Sequence, residues 1–147
     1  MSAYDDAKLA VDPIVFREAV EGFLEYIDEW CKDNPDERFD ITIGGPMYLM
    51  EHFGIRRESN SDVKAKSLYT RSCMRLFAIG KLLNSKSLDF GELFNRDGKD
   101  TQIHIALIEA LAVAPLKDDG WFDAEDVLAE ARPRATQIDA LEKLLGS

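Results

Sequence analysis

The sequence is poor in the side chains that build disulfide scaffolds, metal sites and catalytic centres. Its 147 residues contain two cysteines and two histidines, too few for a disulfide-rich fold. His52 and His104 have no second ligand one helical turn further on, where Arg56 and Ile108 stand, so we expect both to be structural. No CxxC, HExxH or serine-elbow motif is present. The sequence therefore predicts no metal, no cofactor and no catalytic residue, and it favours a non-enzymatic protein.

Long hydrophobic runs are also missing. No apolar stretch approaches the roughly 20 residues that a membrane-spanning helix needs, which disfavours a membrane protein. The first twelve residues are acidic and lack a signal-peptide core. We interpret Cys31 and Cys73 as reduced thiols in the core. Together these features predict a soluble protein of the cytoplasm.

Positive charge is scarce outside the middle of the chain. The net charge is −10, which divides into −9 over residues 1–54, +6 over residues 55–86 and −7 over residues 87–147. Such an acidic chain disfavours nonspecific binding to nucleic acid or anionic lipid. Two explanations of the basic middle are open. Acidic neighbours within the fold neutralise it, or it forms a cationic surface for an anionic partner.

Helical periodicity is abundant. The longest pattern, residues 61–83, predicts a central helix that Ser61 caps and whose apolar face is buried. Asp12 and Pro13 predict the start of an amphipathic helix that runs to about Lys32. The central helix and the later helix 101–114 are expected inside the core, since their apolar residues are the most numerous.

Shorter periodic segments complete the predicted architecture. Residues 39–43 alternate in polarity and are interpreted as an extended loop. The remaining predicted helices cover residues 46–53, 88–94, 101–114, 123–131 and 136–145. We therefore expect an all-α fold, a single-domain bundle of six or seven helices over residues 1–147.

Basic side chains align along the central predicted helix. Lys64, Arg71 and Arg75 form a stripe beside its apolar face, and Arg56 and Arg57 precede its N-terminus. We call these five side chains the cationic ridge and predict that they bind a partner protein. Because aligned like charges repel one another, we expect a carboxylate of the fold to hold Arg75, while Lys64 stays exposed.

The acidic side of the first helix is a second candidate surface. Opposite its apolar stripe lie Glu18, Glu21, Glu25, Asp28 and Glu29. A row of carboxylates can imitate phosphates or bind a basic partner, and the simpler interpretation is a solvated face.

The segment LAEARPRATQIDALEKL, residues 128–144, is similar to the second and third helices of winged-helix and helix-turn-helix units. The similarity lies in the spacing of Leu128, Ala129, Ala135, Ile138 and Leu141. It implies a helix-turn-helix-like subdomain over residues 101–147 and binding of nucleic acid. This unit offers Arg132 and Arg134 for phosphate contacts, which supply most of the affinity of a DNA-binding protein.

Three functions are compatible with these patterns. We prefer an intracellular protein-interaction or regulatory domain that acts through the cationic ridge, the acidic first helix, or both. The alternative is a nucleic-acid-binding regulator that uses the basic stripe and the helix-turn-helix-like unit. The third is a small enzyme whose site the sequence does not reveal. The first two differ in one respect: nucleic-acid binding requires one exposed surface shared by Lys64, Arg71, Arg75, Arg132 and Arg134.

Overall fold

A computed structural model describes residues 8–55, 62–94, 101–135 and 138–146. The described residues form seven α-helices and one 3₁₀ turn, Arg132–Arg134, and they contain no β-sheet. The helices are α1 (Pro13–Asp33), α2 (Ile41–His52), α3 (Val63–Lys86), α4 (Phe90–Phe94), α5 (Thr101–Val113), α6 (Ala124–Ala131) and α7 (Asp139–Gly146). The predicted all-α fold class is confirmed.

The first helix begins where its capping residues predict. A carboxylate oxygen of Asp12 accepts hydrogen bonds from the backbone N–H groups of Ile14 (2.9 Å) and Val15 (3.2 Å). Pro13 occupies the first position of α1, where a backbone N–H is not needed. The predicted apolar stripe comprises Phe16, Val20, Phe23, Ile27 and Trp30; the first four are buried, and Trp30 is partly exposed. The start and the orientation of α1 thus follow from local sequence.

The centre of the core is α5, as its apolar composition predicts. α1 packs against one part of its surface and α6 against another. Its fully buried residues include Ala106, Leu107, Ile108, Ala110, Leu111 and Ala112. Each of the seven helices contributes side chains to the same hydrophobic cluster.

The central helix α3 is buried over its second half. Ser72 and most of the apolar residues from Leu76 to Leu83 are buried, whereas Val63 at its start is 83% exposed. The N-cap is Asp62, whose carboxylate accepts a hydrogen bond from the backbone N–H of Lys64 (3.0 Å). The predicted cap, Ser61, lies outside the described residues. The interior placement predicted for α3 therefore holds for the half that packs against α2 and α5.

The largest departure from the sequence prediction is at α2, which begins at Ile41 within the predicted extended loop. Asp40 caps this helix, since its carboxylate accepts hydrogen bonds from the backbone N–H (3.0 Å) and the hydroxyl (2.6 Å) of Thr42. A cap of this kind satisfies donors that an extended segment would leave to water. The alternation of residues 39–43 was therefore the weaker local signal.

The glycines and the proline of α2 are accommodated inside the helix. Pro46 lacks the N–H that would bond to the carbonyl of Thr42, which removes one bond of the first turns. A Cβ on Gly44 would clash with the ring of Phe39. The absence of that side chain lets the ring pack against α2, so tertiary contact here favours a helix despite weak local propensity.

The C-terminal helices match the prediction in order. Asp123 caps α6 by accepting a hydrogen bond from the backbone N–H of Glu125 (3.0 Å). Phe122 is buried and forms an isolated antiparallel bridge with Leu116. α7 begins at Asp139, three residues after the predicted start, and residues 136–137 lie outside the described ranges.

The two cysteines differ in environment. Both thiols are free, but Cys31 is exposed near the end of α1, so its predicted place in the core is wrong. Cys73 is half-buried in α3, and burial raises the pKa of its thiol to about 11.

Candidate interaction surfaces

The cationic ridge does not form one exposed surface, because the side chain of Arg75 is buried and only 1% exposed. Its Nη1 donates hydrogen bonds to the backbone carbonyls of Leu111 (2.9 Å) and Ala114 (2.7 Å). Its Nη2 donates to the carbonyl of Lys8 (3.1 Å). The expected carboxylate partner is therefore wrong: backbone carbonyls hold this guanidinium inside the fold.

The end of α5 explains why a cation is tolerated there. The last turn of any helix leaves carbonyls without amide donors, and its dipole end is negative. α5 stops at Val113 before Pro115, and Arg75 supplies the missing donors. The guanidinium also lies 5.9 Å from the centre of the Phe122 ring. Burial lowers the pKa of Arg75 to about 10, which still leaves it charged at neutral pH.

Other basic residues of α3 also contact backbone carbonyls. Nη1 of the half-buried Arg71 lies 3.4 Å from the carbonyl oxygen of Ala10. Nζ of Lys81 donates a hydrogen bond to the carbonyl of Asp119 (2.9 Å) and lies 5.6 Å from the centre of the Trp121 ring. Much of the positive charge of α3 thus holds neighbouring segments in place.

Of the remaining ridge positions, Lys64 alone lies among the described residues. Lys64 is exposed near the start of α3. Arg56 and Arg57 lie outside the described residues. A partner-binding role for Lys64, Arg71, Arg56 and Arg57 stays a prediction, whereas Arg75 is not part of an exposed ridge.

The arginines of the helix-turn-helix-like unit contact carboxylates of that unit. Nε of Arg132 lies 3.3 Å from Oε1 of Glu142 on α7. Nη1 of Arg134 donates to the carbonyl (2.6 Å) and to Oε2 (3.1 Å) of Glu130 on α6. With Arg75 buried as well, the five basic residues expected of a nucleic-acid surface do not share one exposed face.

The structure places an apolar surface on α2 that sequence reasoning missed. Ile43 is 62% exposed and Met47, one helical turn later, is 66% exposed. We call these two side chains the α2 stripe. They lie on the side of the helix opposite the buried Gly45 and Leu49. The predicted helix 46–53 excluded Ile43, so the sequence did not place Ile43 and Met47 one turn apart on one helix; a helix that starts after Asp40 does.

Aromatic and acidic side chains lie beside the α2 stripe. Tyr26 of α1 is 42% exposed, and its ring centre lies 5.7 Å from that of Tyr48 on α2. Partial burial raises the pKa of Tyr48, and the negative charges of Glu25 and Glu51 raise it further. Glu25 and Glu51 are both exposed, so these negative charges lie on the surface of α1 and α2.

A cleft of about 750 Å³ opens at the N-terminal end of α2. The C-terminal half of α1, the segment that precedes α2, the end of α3 and the start of α4 surround it. Its apolar lining comprises Ile27, Phe39, Ile41, Leu83, Leu88 and Phe90, and the exposed Cys31 also lines it. Sequence reasoning missed the cleft because its walls come from four separate segments.

The two histidines have different surroundings. Nδ1 of His104 lies 2.7 Å from the carbonyl oxygen of Phe94, and its Nε2 lies 3.9 Å from a carboxylate oxygen of Glu21. His52 is exposed, and its ring stacks on Tyr48 with 6.0 Å between the ring centres. Within the described ranges, no three His, Cys, Asp or Glu side chains are placed to hold a metal ion.

The chain matches no protein family, no curated protein and no solved structure. No helix in the described part of the chain is both long and apolar enough to cross a membrane.

Proposed function

We propose that this protein is a non-enzymatic interaction module that binds a partner protein through the α2 stripe. The observation that carries the proposal is the exposure of Ile43 and Met47 on a helix that is apolar on nearly all sides. A helix of that composition normally lies inside a core. Exposed apolar patches with polar surroundings are typical of protein-binding sites, and methionine and aromatic residues are enriched at interfaces.

Charge indicates what kind of partner fits. Glu51 follows Met47 by one helical turn, the charges of Glu25 and Glu51 act on the adjacent Tyr48, and the chain as a whole carries a charge of −10. An apolar anchor with basic side chains on its flanks would complement this surface and would be steered towards it. A second copy of this acidic chain would bring like charges together, which disfavours self-association through the stripe.

The acidic face of α1 also favours a partner with basic side chains. Four of its five carboxylates are exposed: Glu18, Glu25, Asp28 and Glu29. Of the two surfaces predicted for partner binding, the acidic one thus lies open to solvent. Arg75 of the cationic ridge is buried in the core. It is therefore not available to bind a phosphate, which removes support from the nucleic-acid alternative.

The test compares the intact protein with a matched pair of variants. Ile43→Ser combined with Met47→Ser removes the stripe, whereas Ile14→Ser removes a 55% exposed apolar side chain outside it. The measurement is affinity capture from native cell extract with quantitative mass spectrometry. We expect specific partners to be lost by at least about tenfold in the double variant and to be retained by Ile14→Ser.

The same experiment defines what would contradict the proposal. If the double variant remains folded by circular dichroism and captures the same proteins at the same level, the stripe is not a binding surface. Self-association would appear as a dimer of the intact chain in sedimentation that the double variant abolishes, and it would replace the proposed partner by a second copy.

A further inference from the structure

We infer that the cleft at the N-terminal end of α2 receives a lysine or arginine side chain from a basic segment of the partner. This inference rests on the proposed function and names the chemistry of its partner. Three features carry it: the apolar walls of the cleft, the sign of the charges around it, and its position next to the α2 stripe.

The walls of the cleft suit a long side chain with a charged end. Aliphatic and aromatic side chains, among them Ile27, Leu83 and Phe90, supply apolar surface. Lysine and arginine bury their methylene stems against such surface while the charged group stays near water or carboxylates. The volume of about 750 Å³ is ample for one side chain and part of its backbone.

The charges at the cleft favour a cation. Four carboxylates and one guanidinium line it: Asp28, Glu37, Asp40, Asp89 and Arg38. Two of the carboxylates are fixed in position, because Asp40 caps α2 and Asp89 accepts a hydrogen bond from the backbone N–H of Glu92 (2.7 Å) in α4. Hydrogen bonds from Thr42 also lower the pKa of Asp40. Four carboxylates against one guanidinium give this lining a net negative charge, which complements a lysine or arginine.

The position of the cleft favours a polypeptide over a free amine. Ile41 and Thr42 of α2 line the cleft, and the next residue, Ile43, begins the α2 stripe. Successive residues of a helix are about 100° apart around its axis, so the stripe begins around the side of α2 from the cleft and less than one turn from it. One segment that passes around the N-terminal turn of α2 can therefore place a basic side chain in the cleft and an apolar side chain on the stripe.

The probe is a short capped peptide of alternating leucine and arginine, titrated into the ¹⁵N-labelled full chain and followed by NMR. We expect the largest amide shifts at residues that line the cleft, such as Thr42, Leu88 and Gly91. The variant Asp28→Asn combined with Glu37→Gln should weaken binding by at least about tenfold. Asp40 and Asp89 are left unchanged because they cap helices.

The matched control is Glu18→Gln combined with Glu29→Gln, which removes the same charge from the exposed face of α1. We expect it to weaken binding by less than about twofold, since it leaves the cleft intact. A peptide with glutamate in place of arginine should produce no shifts in the cleft. Nα-acetyl-arginine amide, which lacks the apolar neighbour, should bind at least about tenfold more weakly than the peptide.

Several results would overturn the inference. Absence of shifts in the cleft would do so, as would equal loss of affinity in the two charge variants, which would indicate general attraction to an acidic protein. Equal affinity for the arginine amide would make the cleft a small-molecule site instead. Capture of partners by the stripe variants is a separate measurement on native cell extract, so the proposed function would still stand or fall on that result.

Discussion

The surroundings of Arg75 and the α2 stripe depart from the usual distribution of polar and apolar residues in opposite directions. Arg75 is a charged side chain in the core, and Ile43 and Met47 are apolar side chains in solvent. Two nitrogens of the buried guanidinium donate hydrogen bonds to three backbone carbonyls. Nothing in the described structure covers the two exposed side chains to a comparable degree. The comparison separates a residue that the fold uses from residues that remain available to a partner.

The physical reason is the different cost of removing a charged group and an apolar group from water. Burying a charge without hydrogen bonds is very costly, so a buried arginine persists only where several acceptors converge on it. The end of α5 and the segment before α1 provide those acceptors. Exposed apolar side chains cost the monomer little, and the area they keep in water becomes a favourable term when a partner covers it.

The largest effect is expected from Arg75→Ala. The substitution leaves the carbonyls of Leu111 and Ala114 without donors and opens a cavity, so we expect a loss of about 3–5 kcal/mol in the free energy of unfolding. Urea denaturation of the intact chain measures it. Arg75→Met restores most of the side-chain volume but no hydrogen-bond donors. Its free energy of unfolding should therefore lie between those of the unsubstituted protein and Arg75→Ala. A loss below about 1 kcal/mol for the alanine variant would mean that the buried guanidinium is not structural.

Substitution of the other ridge residues of α3 should reduce stability less than substitution of Arg75. The size of the loss should follow the burial of each side chain. Arg71 is half-buried and near the carbonyl of Ala10 (3.4 Å), so Arg71→Ala should cost about 0.5–1.5 kcal/mol. Lys64 is exposed, so Lys64→Ala should change stability by less than about 0.5 kcal/mol. Thermal melts of both variants test this order, and a reversed order would contradict it.

Substitutions in the α2 stripe should change the stability of the protein very little. Ile43→Ser combined with Met47→Ser replaces side chains that are already in solvent, so we expect unfolding to change by less than about 1 kcal/mol. The measurement is the urea midpoint at constant slope. A loss comparable to that of Arg75→Ala would show that the stripe packs within the protein, and it would remove the contrast between the two regions.

The mildest test is chemical labelling of the two thiols, which compares an exposed residue with a partly buried one. Cys31 is exposed at the cleft, whereas burial raises the pKa of Cys73 to about 11. Because the thiolate is the reactive form, we expect iodoacetamide at pH 8 to label Cys31 at least about tenfold faster. Peptide mapping by mass spectrometry measures the two rates. Equal rates would mean that α3 opens readily around Cys73.

The sign of the Cys73 shift also predicts a pH dependence. The thiol loses its proton near pH 9 in the unfolded chain and near pH 11 in the folded one. Folded protein therefore holds more protons between these values, and stability should fall as pH rises through this range. The fall should be smaller in Cys73→Ala, which serves as the control in the same melts.

Local sequence predicted several elements because their signals are short-range. Asp12 and Asp123 act as N-caps for α1 and α6 as expected, and the periodicity of α1 and α5 identified their buried faces. These features depend on residues three or four positions apart, which the sequence displays directly. They were sufficient for the all-α class.

Tertiary structure alone decided the parts that bear on function. Whether Arg75 faces solvent depends on where α5 ends, 36 residues away along the chain. Whether Ile43 and Met47 are covered depends on which side of α2 meets α1 and α3, and the cleft exists only where four segments meet. The sequence by itself determined helix starts, buried faces and fold class, because caps and periodicity act locally. Burial of a charge and exposure of an apolar face depend on contacts between distant segments, which no local pattern contains.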